Sequence, residues 1–328
     1  MTLCYHLVAS LGRDPGSEEQ ERSMALTARS GIRRLAAVTL AGVFVLGAVG
    51  TASATPPSGA GRGVPLNQIS VQLFNFFVYI GFDQTPAAQA RQEEVLRRVA
   101  EMGYRNVEPV DYTNFQGLGA ADYRALLDKY GLKASALHTS LSMATTDQQW
   151  LDKLALAKTI GARFIGAGAD PRTFTTAAEW VAWAQKIDHF GFLARQQGMR
   201  YMVHSHDWEF TQVYDGKTAY DILQENTDAQ NVVFELDLYW ATKAGVDPIA
   251  VLDTYGKRIQ LLHVKDMAPD GSITTVGHGI IDFPPIFAAA GAHIRYYVIE
   301  RDPPFTDPTF DPFGPTQIGF DYLTGLTY

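Results

Sequence analysis

One unit recurs along most of the chain: a helix with one apolar face, a glycine, one to three further residues, and a short apolar strand. It appears in six segments, VAEMGYRNVEPV, LDKYGLKASALH, AKTIGARFIGAG, ARQQGMRYMVHSH, DTYGKRIQLLHV and AAAGAHIRYYVIE. Each glycine suits the left-handed backbone that ends a helix: Gly103, Gly131, Gly161, Gly198, Gly256 and Gly291. The pattern predicts helices and buried parallel strands in alternation.

Two further strands complete a set of eight, ISVQLF at 69–74 and NVVFELDL at 231–238. Eight strands alternating with helices in the roughly 270 residues after residue 54 predict an α/β fold of the (β/α)8, or TIM barrel, type. An open doubly wound sheet is the alternative, but it usually carries a glycine-rich phosphate turn after its first strand, and this sequence has none there. The eighth helix has the weakest pattern, since only residues 318–323 look helical.

The N-terminal region has the pattern of a secretory signal. Three arginines precede an apolar run from Leu35 to Val49, and small residues and a Pro/Gly/Ser stretch follow. This order predicts a signal peptide over about residues 24–54 and an extracytoplasmic product, and the Arg33–Arg34 pair leaves twin-arginine export open. The run is shorter than the ~20 residues of a membrane span, so we expect no stable span after cleavage. The expected domains are extension and signal (1–54), linker (55–66) and one barrel (67–328).

Composition excludes several classes of function. The 328-residue chain has a formal net charge of −8 and no basic cluster after residue 54, which disfavours nucleic acid as a partner. Its one cysteine, Cys4, precedes the predicted signal, so the exported product would contain neither a disulfide nor a thiol nucleophile. The sequence does not predict an oligomeric state.

Ionisable side chains concentrate where the predicted strands end. The carboxyl ends of barrel strands meet at one face, where barrel enzymes keep their active sites, so these groups are candidates for chemistry. They are Glu108, His138, His204, His206, Glu209, Glu235, Asp237, His263, Lys265, Asp266, Glu300, Arg301 and Asp302.

Strand geometry selects a metal-binding set among them. Side chains two apart on a strand share a face, so His263 and Lys265 point together. Inward-facing groups of strands five to eight then form an arc of neighbours, namely His204 or His206, Asp237, His263 and Glu300. Two imidazoles and two carboxylates suit Mn, Co, Zn or Fe, whereas Mg, although possible, suits so many nitrogens less well. Positions left open for substrate or water would make the site catalytic.

The segments VHSHDWEF, FELDLYW, LLHVKDM, VGHGIIDFPPIF and YVIERD make residues 67–302 resemble the xylose isomerase-like barrel superfamily, in the branch of sugar phosphate isomerases and epimerases. In that family a divalent metal is held by strand-end Glu, Asp, His and Glu. The resemblance places the last three at Asp237, His263 and Glu300. The first falls on or near His204, with His206 as the alternative, so a histidine stands where the epimerases have glutamate.

The resemblance also implies a mechanism, in which the metal binds a sugar carbonyl while a base removes the neighbouring proton to give an enediolate. The missing glutamate disfavours a symmetrical two-glutamate epimerisation. It leaves open a one-base isomerisation through Glu300 with His138 or Glu108 as partner, and elimination of a glycosidic leaving group from a 3-oxo sugar. Lys265 is expected to neutralise a substrate oxyanion or carboxylate. The expected substrate-binding residues are His206, Glu209, Trp208, Trp240, Asp266 and His278.

Export and the lack of a phosphate cradle favour a free sugar, an oxidised sugar or a glycoside as substrate. The sequence therefore predicts an exported, metal-dependent carbohydrate isomerase or epimerase. Two alternatives are a lyase acting on 3-oxo-glycosides and a non-catalytic sugar-binding barrel.

Overall fold

The apolar runs of the sequence become the buried strands of a parallel barrel. The computed structural model describes residues 61–169 and 174–328. Within this part the barrel strands are β1 (Ile69–Gln72), β2 (Asn106–Glu108), β3 (in two segments, Lys133–Ala134 and Ala136–His138), β4 (Phe164–Gly166), β5 (Arg200–His204), β6 (Val232–Asp237), β7 (Ile259–Val264) and β8 (Tyr296–Ile299). Almost every strand residue is buried, because helices cover one face and the barrel interior the other.

The strands follow one another around the barrel. β1 pairs in parallel with both β2 and β8, and the sheet continues through β7, β6, β5 and β4 to β3. A parallel bridge between Val110 and His138 joins the end of β2 to β3. There the His138 N–H donates to the Pro109 carbonyl at 2.9 Å, and the Asp111 N–H donates to the His138 carbonyl at 3.1 Å. The predicted TIM barrel is confirmed, in a nearly closed form, and the open sheet is wrong.

A helix follows each strand in the described part of the chain. These are α1 (Pro86–Glu101), α2 (Gly119–Lys129), α3 (Asp147–Ile160), α4 (Ala177–Gln196), α5 (Ala219–Glu225), α6 (Pro248–Tyr255), α7 (Phe283–Ala290) and α8 (Phe313–Gly325). α8 is longer than the predicted 318–323, because Pro315 lies in the first turn, where a helix tolerates proline. Gly256 is an exception to the glycine rule: its φ is −52°, and a short 3-10 helix, Gly256–Arg258, replaces the left-handed stop.

An apolar layer lies directly beneath the polar strand ends. Ala136, Phe164, Met202, Val233 and Leu261 form a buried cluster inside the barrel. The residues two positions further along β3, β5, β6 and β7 share the same inward face. They are His138, His204, Glu235 and His263, and all are buried. The polar layer thus rests on a packed apolar floor.

The predicted signal peptide lies outside the described residues. Across 61–169 and 174–328, no helix has both the length and the apolar character needed to cross a bilayer.

Candidate metal centre and active site

The ends of β6, β7 and β8 bring three of the four predicted metal ligands together. Ligand atoms of Asp237, His263 and Glu300 lie within 4.8 Å of one another. Nδ1 of His263 is 3.0 Å from Oε2 of Glu300 and 3.9 Å from Oδ2 of Asp237. All three side chains are buried. We call this group the upper cluster.

The opposite nitrogen of His263 belongs to a second cluster. Ligand atoms of His138, His204, Glu235 and His263 also lie within 4.8 Å of one another. Oε2 of Glu235 is 2.9 Å from Nε2 of His138, 3.0 Å from Nδ1 of His204 and 3.2 Å from Nε2 of His263. This group, with Glu108 beside it, is the lower cluster.

His204 therefore departs from the predicted set. Among the described residues, the ligand atoms of His204 group with the lower cluster and not with Asp237 and Glu300. Its Nδ1 is held by Glu235, two residues before Asp237 and on the same inward face of β6. Glu235 is one of the predicted strand-end groups, and the sequence pattern assigns it no role. The signal that would have identified it is this shared face, since an inward carboxylate between two histidine-bearing strands lies within reach of both.

Several buried atoms of both clusters have no hydrogen-bond partner. They are Oδ2 of Asp237, Nε2 of His204, Oε1 of Glu235 and Oε2 of Glu108. A buried polar atom without a partner costs about 1–3 kcal/mol, more when it is charged. Unpaired carboxylate oxygens and imidazole nitrogens are the donor atoms that zinc, manganese and cobalt accept. The residues present thus fit a divalent metal, as predicted for the cofactor.

The charges of the clusters are strongly coupled. Burial opposes the charged form of His138, but the carboxylates of Glu108 and Glu235 outweigh it and raise its pKa to about 9. Burial raises the pKa of Glu108 and Glu235, and the facing imidazoles more than offset this, leaving each pKa at about 2. For Asp237 burial prevails over the attraction of Lys265 and raises the pKa to about 7. The ionised carboxylates of Glu108 and Glu235 therefore favour positive charge beside them.

The predicted catalytic pair Glu108 and His138 does not stand free at the barrel mouth. Glu108 is fully buried, and its Oε1 accepts a hydrogen bond from Nε2 of Gln72 at 2.7 Å. The same oxygen lies 2.9 Å from Nε2 of His138 and 2.9 Å from Nε2 of His263. These two residues are committed to the lower cluster rather than to an open substrate face.

Lys265 is held by acids rather than facing outwards. Its Nζ lies 2.8 Å from Asp302 and 3.0 Å from Glu300, and the side chain is completely buried. Burial opposes its charge, but these carboxylates prevail and raise its pKa further. Lys265 thus neutralises Glu300 and Asp302, and its predicted role toward a substrate oxyanion stays a prediction.

An aromatic group borders the upper cluster. The ring of His206 stacks on Trp208, with centroids 4.0 Å apart and planes 18° from parallel. Trp240 lies 5.9 Å from His206 and 5.2 Å from Nζ of Lys265. Trp208 and Trp240 are half-buried, and their contact with a sugar stays a prediction. Burial, followed by the charge of Lys265, holds the pKa of His206 well below its ordinary value, which keeps the ring neutral.

Three predicted substrate contacts are placed elsewhere. Glu209 is fully buried and accepts the backbone N–H of His206 at 2.8 Å, so it supports the loop after β5. Asp266 is buried, and its carboxylate accepts backbone N–H groups of Met267, Gly277, Gly279 and Ile281. It fixes the loop that carries His278, which is itself exposed. The carboxylates of Glu209 and Asp266 therefore anchor loops, and their contact with a substrate stays a prediction.

Fold and site place the chain in a known family. The family model described as "Xylose isomerase-like TIM barrel" matches residues 96–304. The chain belongs to the xylose isomerase-like TIM barrel family.

The curated relatives that it matches include two inosose dehydratases. The one from Clostridium beijerinckii is 32% identical over 127 residues, which are 33% of this chain and 42% of the relative. The one from Geobacillus kaustophilus is 26% identical over 236 residues, covering 60% of this chain and 75% of the relative. The match to the Clostridium relative thus spans less than half of that protein.

Solved structures with the same fold cover most of the chain. A sugar phosphate isomerase/epimerase from Parabacteroides distasonis superposes with a TM-score of 0.67 and 21% identity, over 83% of this chain and 99% of that one. The IOLI protein, solved with a zinc atom, gives a TM-score of 0.60 and 14% identity, over 80% and 99%. At these identities the likeness establishes the fold.

Proposed function

We propose that this protein is an exported, metal-dependent carbohydrate lyase of the dehydratase type. Its substrate would be an oxidised sugar, cyclitol or glycoside that carries a carbonyl group. The observation that carries the proposal is the convergence of Asp237, His263 and Glu300 on one point, with the positive charge of Lys265 buried beside Glu300. Such a set suits the removal of a proton next to a carbonyl group.

The residues divide the chemistry between them. A divalent ion held by Asp237, His263 and Glu300 would supply a Lewis acid for the carbonyl group. Glu300 is the base: burial raises its pKa, but Lys265 and His263 bring the pKa well below the ordinary value and keep the carboxylate ionised. The C–H bond next to the carbonyl breaks, the proton passes to Glu300, and the electron pair forms a C=C bond. The oxygen on the next carbon leaves with its bonding pair and takes up a proton from solvent as water or an alcohol, and Glu300 then returns its proton to solvent.

Elimination fits this site better than epimerisation. Epimerisation by proton return from the opposite face requires a second base, whereas the upper cluster contains one glutamate, Glu300. Elimination requires one base and a leaving group. The match to proteins named inosose dehydratase supports the same choice, because dehydration is an elimination.

The proposal is tested with the purified chain after residue 54, loaded with Zn, Mn or Co and supplied with inososes and 3-oxo-glycosides in deuterated buffer. The expected result is an unsaturated carbonyl product, followed by its ultraviolet absorbance, together with released water or alcohol. Deuterium exchange with formation of an isomeric sugar would establish isomerisation instead. Binding without exchange or elimination would leave a sugar-binding barrel.

Export is part of the proposal and has its own test. The chain is expressed in a bacterial host, and the N-terminus of the product outside the cytoplasm is sequenced. Cleavage near residue 54 is expected, and an uncleaved cytoplasmic product would contradict export.

A further inference from the structure

Arg301 directly follows Glu300 of the upper cluster and carries a charge that no described carboxylate neutralises by contact. Its side chain is half-buried, and across residues 61–169 and 174–328 it makes no ion pair. Nε and Nη1 of its guanidinium are buried and have no hydrogen-bond partner. Unpaired buried donors cost free energy, and the cost is larger for a charged group. The guanidinium therefore favours an acceptor that this part of the chain does not supply.

The neighbouring acid serves another cation. Oδ2 of Asp302 lies 2.8 Å from Nζ of Lys265. Oδ1 of Asp302 is buried and has no hydrogen-bond partner, so it makes no hydrogen bond to Arg301 either. Lys265 also pairs with Glu300, at 3.0 Å. The acids that follow β8 are thus paired with Lys265, and the charge of Arg301 stays available to a ligand.

Two contacts hold Arg301 in place without using the donors of its guanidinium. The guanidinium carbon lies 4.3 Å from the ring centroid of Phe310. An aromatic ring attracts the cation through its electron-rich face, but it is not an ordinary hydrogen-bond acceptor. The backbone N–H of Arg301 donates to Oδ1 of Asn75 at 3.0 Å, which joins the loop after β8 to the segment after β1.

Asn75 adds a further free donor. Its side chain is 2% exposed, and Nδ2 is buried without a hydrogen-bond partner. Because β1 and β8 are paired in the barrel, Asn75 and Arg301 follow adjacent strands at the same end. Together they have three nitrogen donors without acceptors, namely Nδ2 of Asn75 and Nε and Nη1 of Arg301. A positive group of donors without an acid favours an anion.

We propose that Arg301 and Asn75 form an anion-binding site at the mouth of the barrel, which takes the carboxylate group of the substrate. A carboxylate is planar and matches the fork of N–H donors that arginine presents. The site adjoins Glu300 along the chain, so a sugar that reacts at the upper cluster can place an acidic group there. The substrate class then narrows to sugar acids. This assignment to the substrate rests on the proposed function, whereas the anion site itself does not.

Calorimetric titration of the metal-free chain tests the anion site. Metal is removed with EDTA, and the EDTA is removed by dialysis, so that anions cannot bind through a metal. The probes are D-glucuronate, glucose, acetate and inorganic phosphate. The wild type should bind glucuronate about 10- to 100-fold more tightly than glucose, the range that hydrogen bonds to a charged group supply.

Variants assign this preference to the guanidinium. Arg301→Gln should abolish it, and Arg301→Lys, which keeps the charge without the planar fork, should retain part of it. Arg295→Gln, at an exposed position before β8, is the control and should bind as the wild type does. Circular dichroism confirms the folding of each variant.

Kinetics of the metal-loaded enzyme identify the source of the anion. The probes are phenyl 3-oxo-glucoside and phenyl 3-oxo-glucuronide, which differ only at C6, a hydroxymethyl group in one and a carboxylate in the other. The glucuronide should have the lower KM. Arg301→Gln should raise this KM about 10- to 100-fold and leave its kcat and both constants of the glucoside unchanged.

The outcomes separate the anion site from the proposed function. Acetate or phosphate that binds as tightly as glucuronate, and only with Arg301 present, supports the site and overturns its assignment to the substrate. A wild type without preference for any of these anions over glucose overturns the site, and this result needs no variant. A preference that persists in Arg301→Gln overturns it as well. Turnover of both glycosides with equal KM overturns the sugar-acid assignment and leaves the proposed function intact.

Discussion

Nδ1 of His263 lies 3.0 Å from Oε2 of Glu300, and this contact joins β7 to β8 at the upper cluster. We expect Glu300→Gln to weaken zinc binding at least 10- to 100-fold, a loss seen even when only an outer partner of a metal ligand is removed. The product of elimination should disappear as well, because the base is lost. Calorimetric titration with zinc measures the first effect. The matched control is Glu101→Gln on the exposed face of α1, and equal affinities in the two variants would contradict the role of Glu300.

Lys265→Met should destabilise the metal-free protein by about 3–5 kcal/mol, since it leaves Glu300 and Asp302 without their buried partner. Added zinc should recover part of this loss by replacing the missing positive charge. Urea unfolding with EDTA and with zinc measures both effects. Lys217→Met, which removes an exposed pair with Glu225, should cost no more than about 1 kcal/mol. If the two lysine variants lose the same stability, the charge balance described for Lys265 is wrong.

Glu209→Gln should change how stability depends on pH. Burial raises the pKa of Glu209 to about 8, above its ordinary value of 4.5. The folded protein therefore favours the neutral carboxyl, and this contribution is complete below pH 4.5 and is lost as the pH rises through 8. The variant keeps an acceptor for the His206 N–H but has no ionisable group at this position. As the pH rises from 5 to 8.5, the free energy of unfolding of the wild type should therefore fall by roughly 3–5 kcal/mol more than that of the variant.

This difference is measured by urea unfolding at a series of pH values in the presence of EDTA. Glu225→Gln, at an exposed position, provides the control and should follow the wild type. Parallel curves for wild type and Glu209→Gln would show that the Glu209 carboxyl is not kept neutral.

Asp266→Asn should loosen the loop that carries His278. The amide retains one acceptor oxygen for backbone N–H groups that the carboxylate serves with two, so we expect a loss of about 1–3 kcal/mol. Hydrogen exchange should become faster at the amides of Gly277, Gly279 and Ile281. Asp270→Asn, in the exposed turn between Met267 and Ile273, is the control. Unchanged exchange in the Asp266 variant would rule out the anchoring role.

Gly168→Ala should displace the stacked pair at the barrel mouth. A Cβ atom there would lie 2.7 Å from Cε1 and 2.8 Å from Nδ1 of His206, closer than packed atoms tolerate. A shift of His206 changes its stack on Trp208, so tryptophan fluorescence should change and sugar binding should weaken. Gly256→Ala, where a Cβ meets open space and φ is negative, should leave both unchanged. Identical spectra for Gly168→Ala and the wild type would contradict the packing.

The sequence by itself determined the barrel fold and the end of the barrel at which the candidate site lies. Glycine after each amphipathic helix and a short apolar run after each glycine are local signals, and they fix the alternation that closes a parallel barrel. Successive side chains of a strand point to opposite faces, and this alternation placed Asp237, His263 and Glu300 on the inward face at the strand ends. The alternation depends only on the residues of the strand itself.

Tertiary structure decided how those inward groups are shared. His204 contacts Glu235 rather than Asp237. The carboxylate of Asp266 accepts hydrogen bonds from a loop eleven to fifteen residues further along the chain. Lys265 forms an ion pair with Asp302. Each choice depends on distances between strands and loops that the barrel sets when it closes, and on the cost of burying a charge without a partner. No single segment contains that information.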